Sequence, residues 1–389
     1  MKIKEIKSHI LEYDLKEELG YSQQYYQKRT AHLVEIRTDE GLVGWGECFG
    51  PGNVAIANKC IIEKVIQPMI LEFDPMNREL IWQKVYNLLR DHGQKGMPIQ
   101  ALSGIDIALW DIAGKITNMS ISRLIGGRFR ESIPVYGYGM MLRREDVDSL
   151  ADRFYEEAQA IKSMGFVATK MKVGLGPEKD IRLAGAVRKG IGDGFPFMVD
   201  ANHCYTSSDA LYVGRALEEM NAFWFEEPVA PEDLEGYLEL KSVLDIKIAG
   251  GEAEFTRWGW RNILQKRCVD LAQPEVCALG GISEYLKVIA MAHANFVPVV
   301  NHVWGSAIAV ATNLQLLAAM PPLPGGIHPI DPLLEFDTTD NKFRDELIIE
   351  PLKIQQQVSA SGGFVSIPDN PGIGVEPDPE FILKFSIHV

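Results

Sequence analysis

Seven ionisable residues recur at intervals of 23 to 33 through the later part of the chain: Lys172, Asp200, Glu226, Glu252, Glu275, His302 and Glu335. Asp200 in "MVDAN", Glu226 in "WFEEP" and Glu252 in "AGGEA" end three successive short apolar runs. Singly, each reads as a surface or capping carboxylate. Three gathered on one rim repel one another unless a cation lies among them, and an all-oxygen set selects a hard ion, Mg2+ first and Mn2+ second. Glu227 alternates to the other face of its run and is not expected among the ligands.

The run "ATKMKV" precedes these carboxylates by one interval. Strand alternation places Val167, Thr169, Met171 and Val173 on one face and Ala168, Lys170 and Lys172 on the other. A lone KxK is ordinarily a wet face. Beside a metal site it has another use: a lysine can remove a proton only when neutral, so its pKa must fall from about 10.4 to about 7 or 8. A second lysine, a nearby cation and desolvation all push that way. On the far side of the carboxylates, Glu275 can orient the His302 ring and favour its protonated form. A metal flanked by bases on two sides suits removal of a proton next to a carboxylate, the ion stabilising the charge that develops.

The elements that position these groups are eight short apolar runs alternating with amphipathic ones: "IPVYGYG", "ATKMKV", "FPFMVDAN", "FWFEEPV", "IKIAGGE", "CVDLAQPEV", "FVPVVNH" and "HPIDPLLEF". That alternation is the pattern of a closed parallel β/α barrel, whose carboxyl-end rim carries the chemistry. Residues 1–130 read as an α+β module. In it "HLVEIRTDEGLVGWGEC" forms a hairpin around Asp39, Glu40 and Gly41, residues 54–90 are helical, and "IQALSGIDIALWDIAGK" is a helix buried through Ile99, Leu102, Ile105, Leu109 and Ile112. Asp106 and Asp111 within that helix read as structural groups. Residues 131–355 are the barrel. Residues 356–389, with a hairpin-like run, a Gly/Pro-rich turn and a final strand, are expected to fold back and complete the first module.

The chain has 389 residues and a net charge of −14 with no compensating basic tract, which argues against nucleic acid or an anionic membrane and for a small-molecule partner. The amino terminus has no apolar h-region, and no run approaches a membrane span; the expected location is the cytoplasm. Five widely spaced cysteines without a CxxC pair read as buried free thiols.

The stretches "KMK", "DAN", "EEP", "GGE", "ALSGIDIALWDIAGK", "IGGRFRESIPVYGYG" and "PDNPGIGVEPD", with His302, resemble the enolase superfamily, mandelate racemase subgroup, over nearly the whole length. The resemblance implies a modified (β/α)7β barrel of the TIM type capped by an α+β domain from both chain ends, and commonly a homo-oligomer. It implies Mg2+ on Asp200, Glu226 and Glu252, Lys172 as base, Lys170 facing the substrate carboxylate, and Glu335 hydrogen-bonding that carboxylate. One departure stands out: the histidine's partner in this subgroup is normally aspartate, and here it is Glu275. "WFEEPVAPEDLEGY", "HVWGSAI" and "PIDPLLEFD" are similar to aldarolactone cycloisomerases within the subgroup, implying proton removal beside the carboxylate of a sugar acid or its lactone, then β-elimination. Acid-sugar dehydration and racemisation share the first step. The stretch "LGYSQQYYQKRT", read as a cap loop, is expected to supply substrate contacts through Tyr21, Gln23, Tyr25, Tyr26 and Lys28, with Asn202 and His203 beside the metal.

Overall fold

The computed structural model describes residues 1–323 and 331–387. Strands β1 (Ile3–Tyr21), β2 (Gln24–Thr38) and β3 (Val43–Cys48) form an antiparallel sheet. The β2–β3 hairpin lies where the sequence places it, with Gly41 at φ +85° in its turn. "LGYSQQYYQKRT" is not an open loop: β1 and β2 stay paired out to Tyr21 and Gln24, so only Ser22 and Gln23 form the tip of a long hairpin.

Helices α1 (Val54–Cys60), α2 (Gln67–Ile70) and α3 (Arg78–Leu89), with a π-helical stretch at Ile61–Ile66, lead to α4 (Met97–Thr117). All five apolar positions expected to bury α4 are inside. Gly46 and Gly104 let β3 and α4 touch backbone to backbone, since a Cβ on Gly46 would stand 2.1 Å from the Gly104 carbonyl.

After the short α5 (Ile121–Leu124), parallel strands β4 (Ser132–Met140), β5 (Ala168–Lys172), β6 (Phe197–Asp200), β7 (Trp224–Glu226), β8 (Lys247–Gly250), β9 (Leu271–Ala272) and β10 (Leu334–Asp337) pair in the order β10-β4-β5-β6-β7-β8-β9. They alternate with α6 (Val147–Ser163), α7 (Pro177–Ile191), α8 (Ser207–Glu219), α9 (Leu234–Val243), α10 (Thr256–Lys266), α11 (Gly281–Ala294) and α12 (Ala307–Ala319). This is the modified (β/α)7β barrel with an α+β cap. "FVPVVNH" differs from expectation: Val299 makes a single bridge to Ala272, because Pro298 has no N–H to donate. His328, Pro329 and Ile330 of the eighth run lie outside the described residues. Tyr136, Ala168, Met198, Trp224, Ala249, Leu271 and Val300 pack as one apolar cluster contributed by successive strands, while Met171, Val173, Phe197, Val199 and Phe225 join the larger core shared with the helices.

The tail departs from the sequence reading. After α13 (Lys342–Asp345) and α14 (Ile354–Ser361), β11 (Phe364–Ser366) pairs with the start of β4 instead of forming a hairpin of its own. The expected final strand is helix α15 (Pro379–Phe385), because Asp378 caps the Glu380 amide at 2.9 Å and Pro379 suits the first helical turn. It packs on β1, and the Ile387 amide donates to the Ile10 carbonyl at 2.9 Å. Cys48, Cys268 and Cys277 are buried free thiols as expected, but Cys60 is exposed and Cys204 only partly covered.

Two buried acids fasten the cap to the barrel, and a third, Asp111, joins its two chain segments. Asp106 accepts the amide and hydroxyl of Ser283 at 2.8 and 2.6 Å, and Asp111 accepts the amides of Trp45 and Ile373 at 2.9 Å each. Glu47 accepts the Ser306 amide and hydroxyl and the Ala309 amide at 2.7–2.9 Å, capping α12 just after the His302 segment. Burial holds the Glu47 carboxyl up at about 7 despite these donors. Its folded value lies above its ordinary one, so its contribution to stability is full below the unfolded pKa and is lost as pH rises through about 7. We expect Glu47→Gln to flatten the dependence of stability on pH between about 4.5 and 7, and Glu47→Ala to cost about 2–3 kcal/mol in urea unfolding by orphaning three donors.

Candidate metal and proton-transfer site

The parallel register sets the site. Lys172 pairs with Asp200, and Asp200 with Glu226, in adjacent strands, so strand alternation turns these side chains to the same face. Lys170 and Lys172 are buried, not wet. The Lys170 Nζ lies 2.5 Å from Glu226 Oε1, 2.5 Å from Glu335 Oε1 and 3.6 Å from Asp200 Oδ2. Lys172 donates to Asp200 Oδ2.

Ligand atoms of Asp200, Glu226 and Glu252 all lie within 4.8 Å of one another. Glu252 stands two residues beyond the end of β8, at the partly open side of the group. Among the described residues its buried Oε2 makes no hydrogen bond, and it lies 3.2 Å from His302 Nε2. A hard cation fits this set, with three carboxylate oxygens converging and one of them lacking a donor. Magnesium is the expected ion. Asn202 braces two of the three acids: its amide donates to Asp200 Oδ1 at 2.9 Å and its Nδ2 to Glu252 Oε1 at 3.2 Å.

Among the protein groups alone, burial lowers the Lys172 pKa most and Lys170 lowers it further, but Asp200, Glu252 and Glu226 together outweigh both and hold it above the ordinary lysine range. The lysine pair by itself therefore does not make a neutral base; the charges on Asp200, Glu226 and Glu252 must be compensated first. Burial also opposes the charge on Lys170, yet Glu226 and Glu335 keep it firmly cationic. Burial and the Asp200 charge push Glu226 up to about 8.

His302 Nδ1 lies 2.7 Å from Glu275 Oε2, while Glu275 Oε1 accepts the Cys277 amide at 2.8 Å. Glu275 thus sits in the loop after β9, not at a strand end. Against the effect of burial, Glu252, Glu335 and Glu275 raise the His302 pKa to about 10. Glu335 Oε2 also accepts the Val303 amide at 2.8 Å, joining β10 to the His302 segment.

The expected substrate contacts divide. Tyr21 is partly buried, with Lys172 and Glu252 among the charges acting on it. His203 is partly exposed, 4.0 Å from Glu227. Lys28 turns away to Glu12 at 2.5 Å, and Tyr25 lies under Arg144 at 4.3 Å. Burial pushes the Tyr26 hydroxyl up to about 12, beside Arg29 and Asp337. Sequence reasoning missed Gln273 and Trp224, which donate to Glu226 Oε2 at 2.7 and 2.8 Å. Their alternation with Glu275 and Glu226 was the available signal. It also missed Arg29, which reaches from the cap to Asp337 at 2.8 Å and Thr339 at 2.7 Å. A cavity of about 660 Å³ between residues 349–352 and the tail holds none of these groups.

The chain belongs to the mandelate racemase / muconate lactonizing enzyme family: residues 16–126 match its N-terminal domain and residues 153–381 the enolase C-terminal domain-like family. It is 42% identical over 385 residues, 99% of each chain, to D-galactarolactone cycloisomerase from Agrobacterium fabrum. The crystal structure of the 3,6-anhydro-D-galactonate cycloisomerase from Zobellia galactanivorans superposes with a TM-score of 0.87 at 35% identity, covering all of both chains. L-talarate/galactarate dehydratase from Salmonella typhimurium LT2, liganded with Mg and L-lyxarohydroxamate, gives 0.84 at 26%, covering all of this chain and 93% of that one. No described helix is long and apolar enough to cross a membrane.

Titration with Mg2+ should raise the thermal midpoint of the protein, by free energy growing as the logarithm of ion concentration above Kd. Asp200→Asn and Glu252→Gln should lose most of that shift, read by calorimetry and thermal unfolding.

Proposed function

We propose that this protein removes the proton next to the carboxylate of a sugar acid or its lactone and expels a β-oxygen, with ring opening of an aldarolactone such as D-galactarolactone as its reaction. The observation that carries the reading is the placement of Lys172 and the His302–Glu275 pair around the Asp200, Glu226 and Glu252 carboxylates. The 42% identical cycloisomerase supports the choice of reaction.

Asp200, Glu226 and Glu252 would hold Mg2+, with Mn2+ an acceptable substitute in the same oxygen set. When bound, the ion supplies Lewis acidity that favours negative charge on the substrate carboxylate. With the charges of Asp200, Glu226 and Glu252 compensated, burial and Lys170 remain to lower the pKa of Lys172 and make it a base. Lys170, held between Glu226 and Glu335, faces the substrate carboxylate as a fixed cation. Lys172 takes the α-proton, the C–H electron pair forms the α,β double bond, and the β-carbon–oxygen bond breaks with its pair going to oxygen. The enol so formed becomes a keto acid by protonation at carbon. His302, paired through Nδ1 to Glu275 and with Nε2 turned toward Glu252 at 3.2 Å, would deliver a proton from Nε2 to the leaving oxygen or to carbon once Glu252 is engaged by the ion. Asn202, His203 and Tyr21 contact the remaining hydroxyls.

The leaving group separates the two main readings. A lactone ring oxygen departs as a carboxylate and needs little acid assistance, whereas a hydroxyl departs as hydroxide and needs a proton. A non-catalytic sugar-acid-binding protein is the alternative from another class, suggested by Glu275 in place of the usual aspartate; the 2.7 Å contact between Glu275 and His302 weighs against it. The proposal includes the division at about residues 130 and 355, a homo-oligomeric assembly as in related enzymes, and a cytoplasmic location.

A panel of aldarolactones and aldarates with Mg2+ should yield a keto acid and deuterium exchange at the α-carbon. Lys172→Ala should lower turnover by at least about 100-fold; undiminished turnover overturns the assignment. His302→Asn should cost a dehydration far more than a lactone opening.

A further inference from the structure

One buried carboxylate holds two rim loops together. Asp180, in the first turn of α7, accepts the amides of Gly174 and Leu175 on Oδ1 and that of Gly176 on Oδ2, each at 3.0 Å. Its Oδ2 also accepts the Tyr205 hydroxyl at 2.6 Å. The three amides belong to the loop leaving Lys172, and Tyr205 to the loop leaving Asp200. Gly174 and Gly176 have φ +136° and +106°, so the first loop has little shape preference of its own and takes the shape that Asp180 imposes.

The β1–β2 tip rests where these loops meet. Ser22 Oγ and Gln23 Nε2 both donate to the Asn202 carbonyl, at 2.9 and 3.1 Å. A Cβ on Gly174 would stand 2.4 Å from Ser22 Cβ, so the tip also presses on the first loop. Asn202 and His203 are left-handed, at φ +40° and +55°, a costly conformation that the surroundings must enforce. The tip therefore bears on the residue that braces Asp200 and Glu252.

We propose that Asp180 and Tyr205 are positioning residues that weld the loops after Lys172 and Asp200 into one seat for the hairpin tip. Losing the Tyr205 hydroxyl frees Asp180 to turn, loosens the Gly174–Gly176 amides and releases the tip from the rim. The seat is a property of the chain itself and holds for any substrate.

Hydrogen–deuterium exchange on the full-length, Mg2+-supplied protein tests this without turnover, so a wrong substrate assignment leaves the result interpretable. Tyr205→Phe should speed exchange in peptides spanning residues 18–28 by about tenfold while β6 and β7 stay protected. Ser22→Ala should act on the same peptides, and the double variant should fall short of the product of the two effects. Tyr212→Phe, which removes a 3.3 Å contact with Glu178 between α8 and α7, should leave the tip unchanged. Unchanged tip exchange in Tyr205→Phe, loss of protection spread through the barrel, full multiplicativity in the double variant, or the same tip effect in Tyr212→Phe would each overturn the proposal.

Discussion

A buried ammonium held between two carboxylates is the constraint on which this molecule is organised. Lys170 has no access to water and compensates by lying 2.5 Å from both Glu226 and Glu335. Burying a charge without partners is prohibitive, and removing one member of such a set costs about 3–5 kcal/mol. The strands carrying these residues, β5, β7 and β10, are not all neighbours, so the charges meet only across the barrel interior. Barrel closure and charge balance are one requirement.

The same electrostatics gives each rim group a different character from its neighbours. Glu226 is crowded by Asp200, whereas Asp200 is held low, against burial, by both lysines. Burial opposes the charge on Lys172 while Asp200, Glu252 and Glu226 favour it, so its proton affinity is tied to the charge those carboxylates carry. His302 lies on the other side, raised by three surrounding carboxylates. Lys172 and His302 thus flank one anionic centre, and the carboxylates raise the proton affinity of both.

The cap is fixed to this arrangement by buried polar contacts as well as apolar area. Glu47 caps the helix after the His302 segment, Asp106 reaches Ser283, and Arg29 reaches Asp337, two residues beyond Glu335 on the same strand. Buried partners of this kind specify one docking geometry, because each displaced donor or acceptor is left unsatisfied. The hairpin tip on Asn202 is the outermost of these contacts.

Period and order along the chain determined much of this protein. The phased polar residues read as one rim, the α4 pattern gave a buried helix, and Asp106 and Asp111 are structural. Strand alternation is a local property, so the shared face of Lys170 and Lys172 was legible too. Other features depended on groups remote in sequence. The tail helix α15 won over a strand through a local cap and packing on β1. The hairpin tip looked like a loop because its polar residues find their partner, the Asn202 carbonyl, some 180 positions away. The direction in which the protein groups alone move the Lys172 pKa was likewise beyond the sequence. Residue type fixes an ordinary pKa, but burial and the set of carboxylates that the parallel strands gather around Lys172 decide which way it moves.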